Sequence, residues 1–345
     1  LKEACLIRSV IQVELEGQRV LLRVDFNCPL EAGGVSDDTR IRASLSTIRH
    51  ALNARAKVVV MSHLGRPGGM RIPELSLEPV GLRLAELLDA DVVLADDCVG
   101  DGARKVVSDL YGGRIAMLEN LRFHEGEKSG SERFAREIAS FGDVYVNDAF
   151  GVSHRRDASV AVLPRFVAQR CAGLNMDLEL TSLGKLLGEV KRPFVVVLGG
   201  AKISDKIKVV QHQLERVDVL LLGGAMANTF LASSGLSMGR SLVDEGSFVH
   251  ARGILEEARR RSVRVLLPVD LSCGRGPEDT EPEVAAAAEV GPDRMACDIG
   301  PETVASFAAE IEKAGTVFWN GPMGWFERPP FDAGTMGIAE AVGRS

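Results

Sequence analysis

Four stretches in the first half of the chain end an apolar run with residues suited to holding an anion. Val20–Phe26 carries Arg23 and Asp25 and leads to Asn27; Val58–Ser62 runs into His63-Leu64-Gly65-Arg66; Ile115–Glu119 runs into Asn120-Leu121-Arg122; and Val144–Asn147 leads toward His154-Arg155. Arg forks match carboxylate or phosphate oxygens two at a time. Taken singly, each arginine is better explained as a solvated surface charge or as the partner of an acidic side chain. Four strand-like runs repeating the pattern point to one pocket for a small polyanion, because ligands of open parallel sheets bind beyond the carboxyl ends of the strands. Asp25 and Asn27 suit a complementary part, accepting from substrate hydroxyls or orienting the arginines, and suit equally an ordinary strand-end turn.

The second half carries a different signal. Phe194–Leu198 runs into Gly199-Gly200-Ala201-Lys202-Ile203-Ser204-Asp205-Lys206. Glycines let a phosphate approach the backbone, and amides at a helix start favour negative charge. Lys202 and Lys206 are four apart and so share one helical face. Val219–Leu222 followed by Gly223-Gly224-Ala225-Met226 repeats the design and suggests a second wall of the same nucleotide pocket, although a glycine pair alone also makes a tight turn. Neither segment is G-x-x-x-x-G-K-[ST] or G-x-G-x-x-G, which speaks against a P-loop ATPase and a dinucleotide fold. Trp319–Glu327 then offers flexible glycines, apolar surface for a base or ribose and one carboxylate. Trp319 and Phe326 fit core packing as well.

The elements that must position these residues are short Val-, Ile- and Leu-rich runs alternating with longer amphipathic stretches, the pattern of an α/β protein. Strands are expected at the runs above and at Val92–Leu94, Arg264–Val269 and Thr316–Trp319, with helices at Arg42–Ala54 and Pro301–Lys313. Leu183, Leu186, Leu187 and Val190 fall at helical spacing, so a connecting helix is expected over about 178–189, broken by Lys191-Arg192-Pro193. This predicts an amino-terminal lobe over 1–173, a connector over 174–191 and a carboxyl-terminal lobe over 192–345. At 345 residues, two domains are the expectation. A formal net charge of −7 without long basic runs argues against nucleic acid or anionic lipid as a partner. Six cysteines without a C-x-x-C pair read as reduced, mostly buried thiols rather than a disulfide framework or zinc site. No signal segment or apolar run long enough to span a bilayer is visible, so the cytoplasm is expected.

Taken in order, these segments resemble the phosphoglycerate kinase family over nearly the whole chain. The matching blocks are Arg23-Val24-Asp25-Phe26-Asn27, Thr39-Arg40-Ile41, Ser62-His63-Leu64-Gly65-Arg66-Pro67, Leu118-Glu119-Asn120-Leu121-Arg122-Phe123 and Asn147-Asp148-Ala149-Phe150-Gly151. They continue through Leu198-Gly199-Gly200-Ala201-Lys202, Asp205-Lys206-Ile207, Leu267-Pro268-Val269-Asp270, Asp298-Ile299-Gly300-Pro301-Glu302 and Trp319–Glu327. The resemblance implies two lobes, each a mostly parallel sheet with helices on both faces. It implies a monomeric enzyme that transfers a phosphoryl group between 1,3-bisphosphoglycerate and ADP, giving 3-phosphoglycerate and ATP, with Mg²⁺ carried by the nucleotide. It further implies that Asp25, Asn27, Arg40, His63, Arg66, Arg122 and Arg155 hold 3-phosphoglycerate. Gly200, Ala201, Lys202, Lys206, Gly224, Leu242, Asn320 and Glu327 would contact the nucleotide, the lysines on phosphates and Glu327 on the ribose. Arg40 and Lys202 would compensate the charge of the transferring group, with the ligands facing each other across a closing cleft.

Some features depart from the family pattern. Ala225 and Ala296 stand where glycines are usual, and Val152-Ser153 and Asp157 replace the commoner Thr-Ala and His. Family members continue past this endpoint into a glycine-rich stretch with an acidic residue that serves Mg²⁺, and into a closing segment. The expectation is therefore a carboxyl-terminal lobe with part missing, binding 3-phosphoglycerate but turning over poorly. A non-catalytic relative acting as a binding or regulatory module is the main rival reading, and an NAD-dependent dehydrogenase a remote third.

Overall fold

In the computed structural model, which describes residues 7–201 and 207–345, the apolar runs of the first half form one parallel sheet. The strands in chain order are β1 (Arg19–Arg23), β2 (Leu30–Glu31), β3 (Gly34–Val35), β4 (Lys57–Met61), β5 (Val92–Leu94), β6 (Ile115–Met117), β7 (Val144–Asn147) and β8 (Gln169–Ala172). Six of them lie in the order β5-β6-β4-β1-β7-β8, while β2 and β3 pair separately as an antiparallel hairpin. Ala32 and Gly33 turn that hairpin, both at positive φ, as its tight two-residue loop demands. The helices are α1 (Thr39–Asn53), α2 (Glu78–Leu88), α3 (Gly100–Ser108), α4 (Glu125–Ser129) and α5 (Glu132–Ala139).

Alternation along the strands decides which helix covers which face. Val20, Leu22, Val58 and Val60 pack with Ile41, Leu45 and Ile48 of α1. Leu21, Val59 and Met61 point the other way, onto Ala103 and Val107 of α3 and Ala135 and Ile138 of α5. From β1 the chain moves to β4 on one side and later returns to β7 on the other, so a switch point lies beside β1.

Helix α6 (Leu174–Leu187) leads out of this unit; one compact unit ends at Lys185 and the next is Leu186–Ser345. The second unit contains β9 (Phe194–Leu198), α7 (Ile207–Gln213), β10 (Val219–Leu222), α8 (Gly224–Ser233), α9 (Phe248–Arg260), β11 (Arg264–Leu266), β12 (Asp270–Gly274), β13 (Glu283–Ala286), β14 (Met295–Ile299), α10 (Pro301–Ile311), β15 (Thr316–Asn320) and α11 (Ala333–Arg344). A parallel sheet runs β11-β10-β9-β15. One face packs on α8 and α9 through Leu220, Leu222, Phe230 and Ile254, the other on α10 and α11 through Val195, Val197, Phe307 and Ile338.

Several boundaries differ from the sequence expectation, each for a local reason. β1 stops at Arg23, and Phe26 N–H donates to the Ser62 hydroxyl at 2.9 Å. β6 stops at Met117, and the Asn120 amide turns to the Glu119 carboxylate at 2.7 Å. β11 stops short of Pro268, which has no donor to continue a ladder. Helix α6 begins at Leu174, four residues early, because the buried Asp148 carboxylate accepts from the Asn175 and Met176 amides at 2.9 and 3.1 Å. The antiparallel sheet β13-β12-β14 has no counterpart among the expected elements; β13 ends in the run of four alanines at 285–288 and is a strand only because β12 pairs with it. Among the described cysteines, Cys28, Cys98, Cys171, Cys273 and Cys297 are free and buried. No described helix is long and apolar enough to cross a membrane.

Candidate active site

The carboxyl ends of β1, β4 and β7 meet at the switch point and open on a cleft of about 350 Å³, lined by Asp25, Asn27, Arg40, His63 and Arg155 together with Asp148, Gly151 and Asn175. Arg40, on the first turn of α1, donates from Nη1 to Asp25 Oδ2 at 2.8 Å. The other carboxylate oxygen of Asp25 is buried without a partner. Asn27 accepts from the Gly65 amide at 2.8 Å and so pins the loop after β4. His63 is almost fully buried, and burial followed by the charges of Arg23, Arg122, Arg155 and Arg40 lowers its pKa to about 2; it is neutral at physiological pH.

Arg122 sits in the turn after β6. Its Nη1 donates to the Gly65 carbonyl at 2.7 Å, while Nε and Nη2 are buried and make no hydrogen bond. Arg155 Nε is in the same condition. Burial and the neighbouring Arg155 both lower the Arg122 pKa. A guanidinium held in this state costs several kcal/mol of desolvation unless a negative group completes its hydrogen bonds. Asp157, at the departure from the family pattern, is buried, accepts from Lys128 Nζ at 2.8 Å and lies 3.6 Å from Arg122 Nη2.

The expected cluster is thus largely assembled, with four corrections. Arg122 does not line the cleft; it is buried and holds the loop after β4 through the Gly65 carbonyl. Arg66 is exposed and does not line the cleft. His154 is likewise exposed and outside it. Arg23 is fully buried beneath the cleft rather than in it. Two residues quoted only as parts of motifs turn out to organise the site. Asn120, fully buried, donates to the Leu64 and Leu75 carbonyls at 2.8 and 2.9 Å and ties the loops after β4 and β6 together. Asp148 reaches the start of α6, and burial raises its pKa. A strand-end Asn or Asp inside an apolar block is the only signal that marks either.

In the second unit the loops after β9, β10 and β15 are laced by backbone hydrogen bonds. Gly199 N–H donates to the Asn320 carbonyl, Gly200 to Pro322, Gly224 to Met323 and Met226 to Gly200, all at 2.8–3.0 Å. Gly200 and Gly224 adopt φ of +110° and +63°, conformations that side chains disfavour. A Cβ at Gly224 would stand 2.7 Å from Gly200 N, so only glycine lets the two pairs approach this closely. Ala201, Leu242, Asn320 and Glu327 are exposed, as are Trp325 and Phe326. Phe326 is therefore not a core residue, whereas Trp319 packs partly into the core and donates from Nε1 to the Gly321 carbonyl at 2.7 Å. Lys202 and Lys206 lie outside the described residues.

Elsewhere in the first unit, His124 Nε2 and Asp97 Oδ1 form an ion pair at 2.7 Å. The hydrogen bond to Asp97 raises the His124 pKa above 6.5. Burial opposes ionisation of Asp97, but the bonds from His124 and the Cys98 amide hold its pKa below 3.8. The pair therefore stabilises the fold fully between 3.8 and 6.5; the gain is lost as pH rises through the raised His124 value and as it falls through the depressed Asp97 value. His124→Gln should cost about 0.5 kcal/mol in that window, a partly exposed pair being worth no more. In urea titrations the difference from wild type should shrink at higher pH to what the loss of the His124–Phe134 ring contact costs; a difference that does not change with pH would refute the assignment.

Two parallel α/β sheets, one opening on a cationic cleft and the other on glycine-rich turns that fit neither P-loop nor dinucleotide patterns, place the chain among two-unit α/β proteins. The model of the family described as phosphoglycerate kinase matches residues 10–345. A phosphoglycerate kinase of Anaeromyxobacter dehalogenans is 52% identical over 345 residues, covering 98% of this chain and 87% of the relative. One of Pelotomaculum thermopropionicum is 44% identical, covering 97% and 85%. The solved phosphoglycerate kinase of Coxiella burnetii superposes with a TM-score of 0.84 at 34% identity, covering 98% of this chain and 86% of that one. That of Pyrococcus horikoshii gives 0.83 at 30% identity, covering 97% and 86%. The chain belongs to the phosphoglycerate kinase family. Its activity is the reversible transfer of a phosphoryl group between 1,3-bisphosphoglycerate and ADP, a glycolytic step; the binding-module reading is not favoured.

Proposed function

We propose that the cleft of the first unit binds 3-phosphoglycerate or its acyl phosphate through Asp25, Asn27, Arg40, His63, Arg122 and Arg155, with Arg66 at its periphery. The observation that carries this reading is the set of buried guanidinium nitrogens on Arg122 and Arg155 that make no hydrogen bond, the nearest carboxylate to Arg122 Nη2 being Asp157 at 3.6 Å. Phosphate and carboxylate oxygens supply what they lack, while the open oxygen of Asp25 suits a substrate hydroxyl. ATP or ADP, carrying Mg²⁺, is assigned to Gly200, Ala201, Gly224, Leu242, Asn320 and Glu327 with Lys202 and Lys206. The exposed Leu242, Trp325 and Phe326 offer apolar surface for the base.

Phosphoryl transfer asks little covalent work of a protein; it asks for in-line placement and for compensation of charge on the equatorial oxygens. Arg40 has one nitrogen committed to Asp25, which fixes the fork and leaves its remaining donors for the transferring group. His63, being neutral, contributes a hydrogen bond without adding charge. Lys202 is assigned the matching role on the nucleotide by its place after the glycine pair. A coupled assay with ATP and 3-phosphoglycerate tests the assignment: turnover that falls in Arg122→Met and Arg155→Met is expected, and full turnover in both would remove the cleft from the mechanism. Closure of a monomer on binding both substrates belongs to the same proposal, and solution scattering should record a smaller radius of gyration; an unchanged one would count against it.

A further inference from the structure

Among the described residues, the most deeply buried cation of the first unit has no part in the substrate contacts above. Arg23, at the end of β1, is fully buried. Its Nε donates to the Ser159 hydroxyl at 2.9 Å, its Nη1 to the Val24 carbonyl, and its Nη2 lies 3.2 Å from His63 Nδ1. Ser159 in turn donates from Oγ to Glu127 Oε1 at 2.6 Å and from its amide to Oε2 at 2.9 Å. Glu127 is itself fully buried. A guanidinium and a carboxylate are thus joined through a hydroxyl, and the far end of the guanidinium grips an imidazole.

Hydrogen-bond polarity then decides the state of that imidazole. Arginine has five donors and no acceptor, and a neutral imidazole has one of each. The ring nitrogen facing Arg23 must therefore be the acceptor. The competing arrangement, a proton on Nδ1 donated to Asp25, is not made: Asp25 Oδ1 stands 3.8 Å away, beyond hydrogen-bond reach. The other charged groups around the ring are Arg40, Arg122 and Arg155, all cations, and none can accept a proton from it.

We propose that Arg23, anchored by Ser159 and Glu127, is a positioning residue that locks His63 as the neutral Nε2–H tautomer, so that His63 acts on the substrate only as a hydrogen-bond donor. This rests on the reading of the cleft as the 3-phosphoglycerate site. His63 then recognises an acceptor oxygen of the substrate, and it neither takes up a proton nor accepts a hydrogen bond from a substrate hydroxyl. The sequence presents Arg23 and His63 as two members of one cationic cluster, whereas the geometry gives one of them the task of orienting the other.

The test is a long-range proton–nitrogen correlation spectrum of the full chain labelled with ¹⁵N at histidine, His63 being assigned by its loss in His63→Gln. A non-protonated Nδ1 and a protonated Nε2 are expected in the free wild type at neutral pH. A protonated Nδ1, or an imidazolium, overturns the proposal. Arg23→Met should shift the ring toward the Nδ1–H form beside Asp25 and raise KM for 3-phosphoglycerate about tenfold, the scale of one hydrogen bond to a charged ligand, with a smaller change in kcat. An unchanged tautomer in this variant refutes the role of Arg23. Where Arg23→Met does not fold, Ser159→Ala loosens the anchor, and a spectrum identical to wild type refutes the relay. Loss of 3-phosphoglycerate binding altogether in wild type would instead strike the functional reading, leaving the tautomer result to stand or fall alone.

Discussion

Arg40→Ala is expected to lower kcat/KM for 3-phosphoglycerate by about 10²- to 10³-fold, the usual cost of removing one preorganised donor from a charge-compensating site. The side chain is half exposed and makes one hydrogen bond, to Asp25. Its loss should therefore leave stability within about 0.5 kcal/mol of wild type, as for other surface substitutions. The separation of the two effects identifies the role: a structural arginine would lower stability and activity together, whereas a compensating one lowers activity alone. Steady-state kinetics and thermal unfolding of the same preparation decide it. Activity within about threefold of wild type would exclude Arg40 from the chemistry.

The second large effect is expected at Gly199, where β9 turns. A Cβ there would overlap the Pro322 carbonyl and come 2.6 Å from Met323 Cε, and the first obstacle is backbone that β15 holds in place. Gly199→Ala should cost about 3 kcal/mol, the upper range for overpacking, since neither strand can retreat without breaking its ladder. Gly184→Ala is the matched control: it lies in α6 with nothing within 4 Å of the added methyl and should gain about 0.5–1 kcal/mol from helix propensity. Denaturant titrations of both variants check the pair. A neutral Gly199→Ala would mean that the close approach of the β9 and β15 loops is not what requires glycine there.

Much of this arrangement was legible from residue types alone. Val-rich runs became strands because their branched side chains suit a pleat buried on both faces, and the helices followed from apolar spacing. The cationic strand ends were visible too, but which of them meet was not. Arg23 and Arg66 look alike in sequence, yet Arg23 is the last paired residue of the central strand β1 and points toward Ser159, while Arg66 lies in the loop after β4 and is exposed; the strands expected from sequence run too far to tell them apart. Asn120 and Asp148 were hidden for a related reason. Their work is hydrogen bonding to loops and to a helix start far away in sequence, at Leu64, Leu75 and Asn175, and no local spacing encodes such partners. Strand β13 depended on its partner in the same way.

The central claim is that the buried, unmet donors of Arg122 and Arg155 exist to receive 3-phosphoglycerate. Calorimetric titration of 3-phosphoglycerate into wild type and into the Arg122→Met/Arg155→Met double variant reads that directly. One site per chain that weakens with salt in wild type, and a loss of about 100-fold or more in affinity in the double variant, is the predicted outcome. Equal affinity in both proteins, or heat in neither, would contradict it.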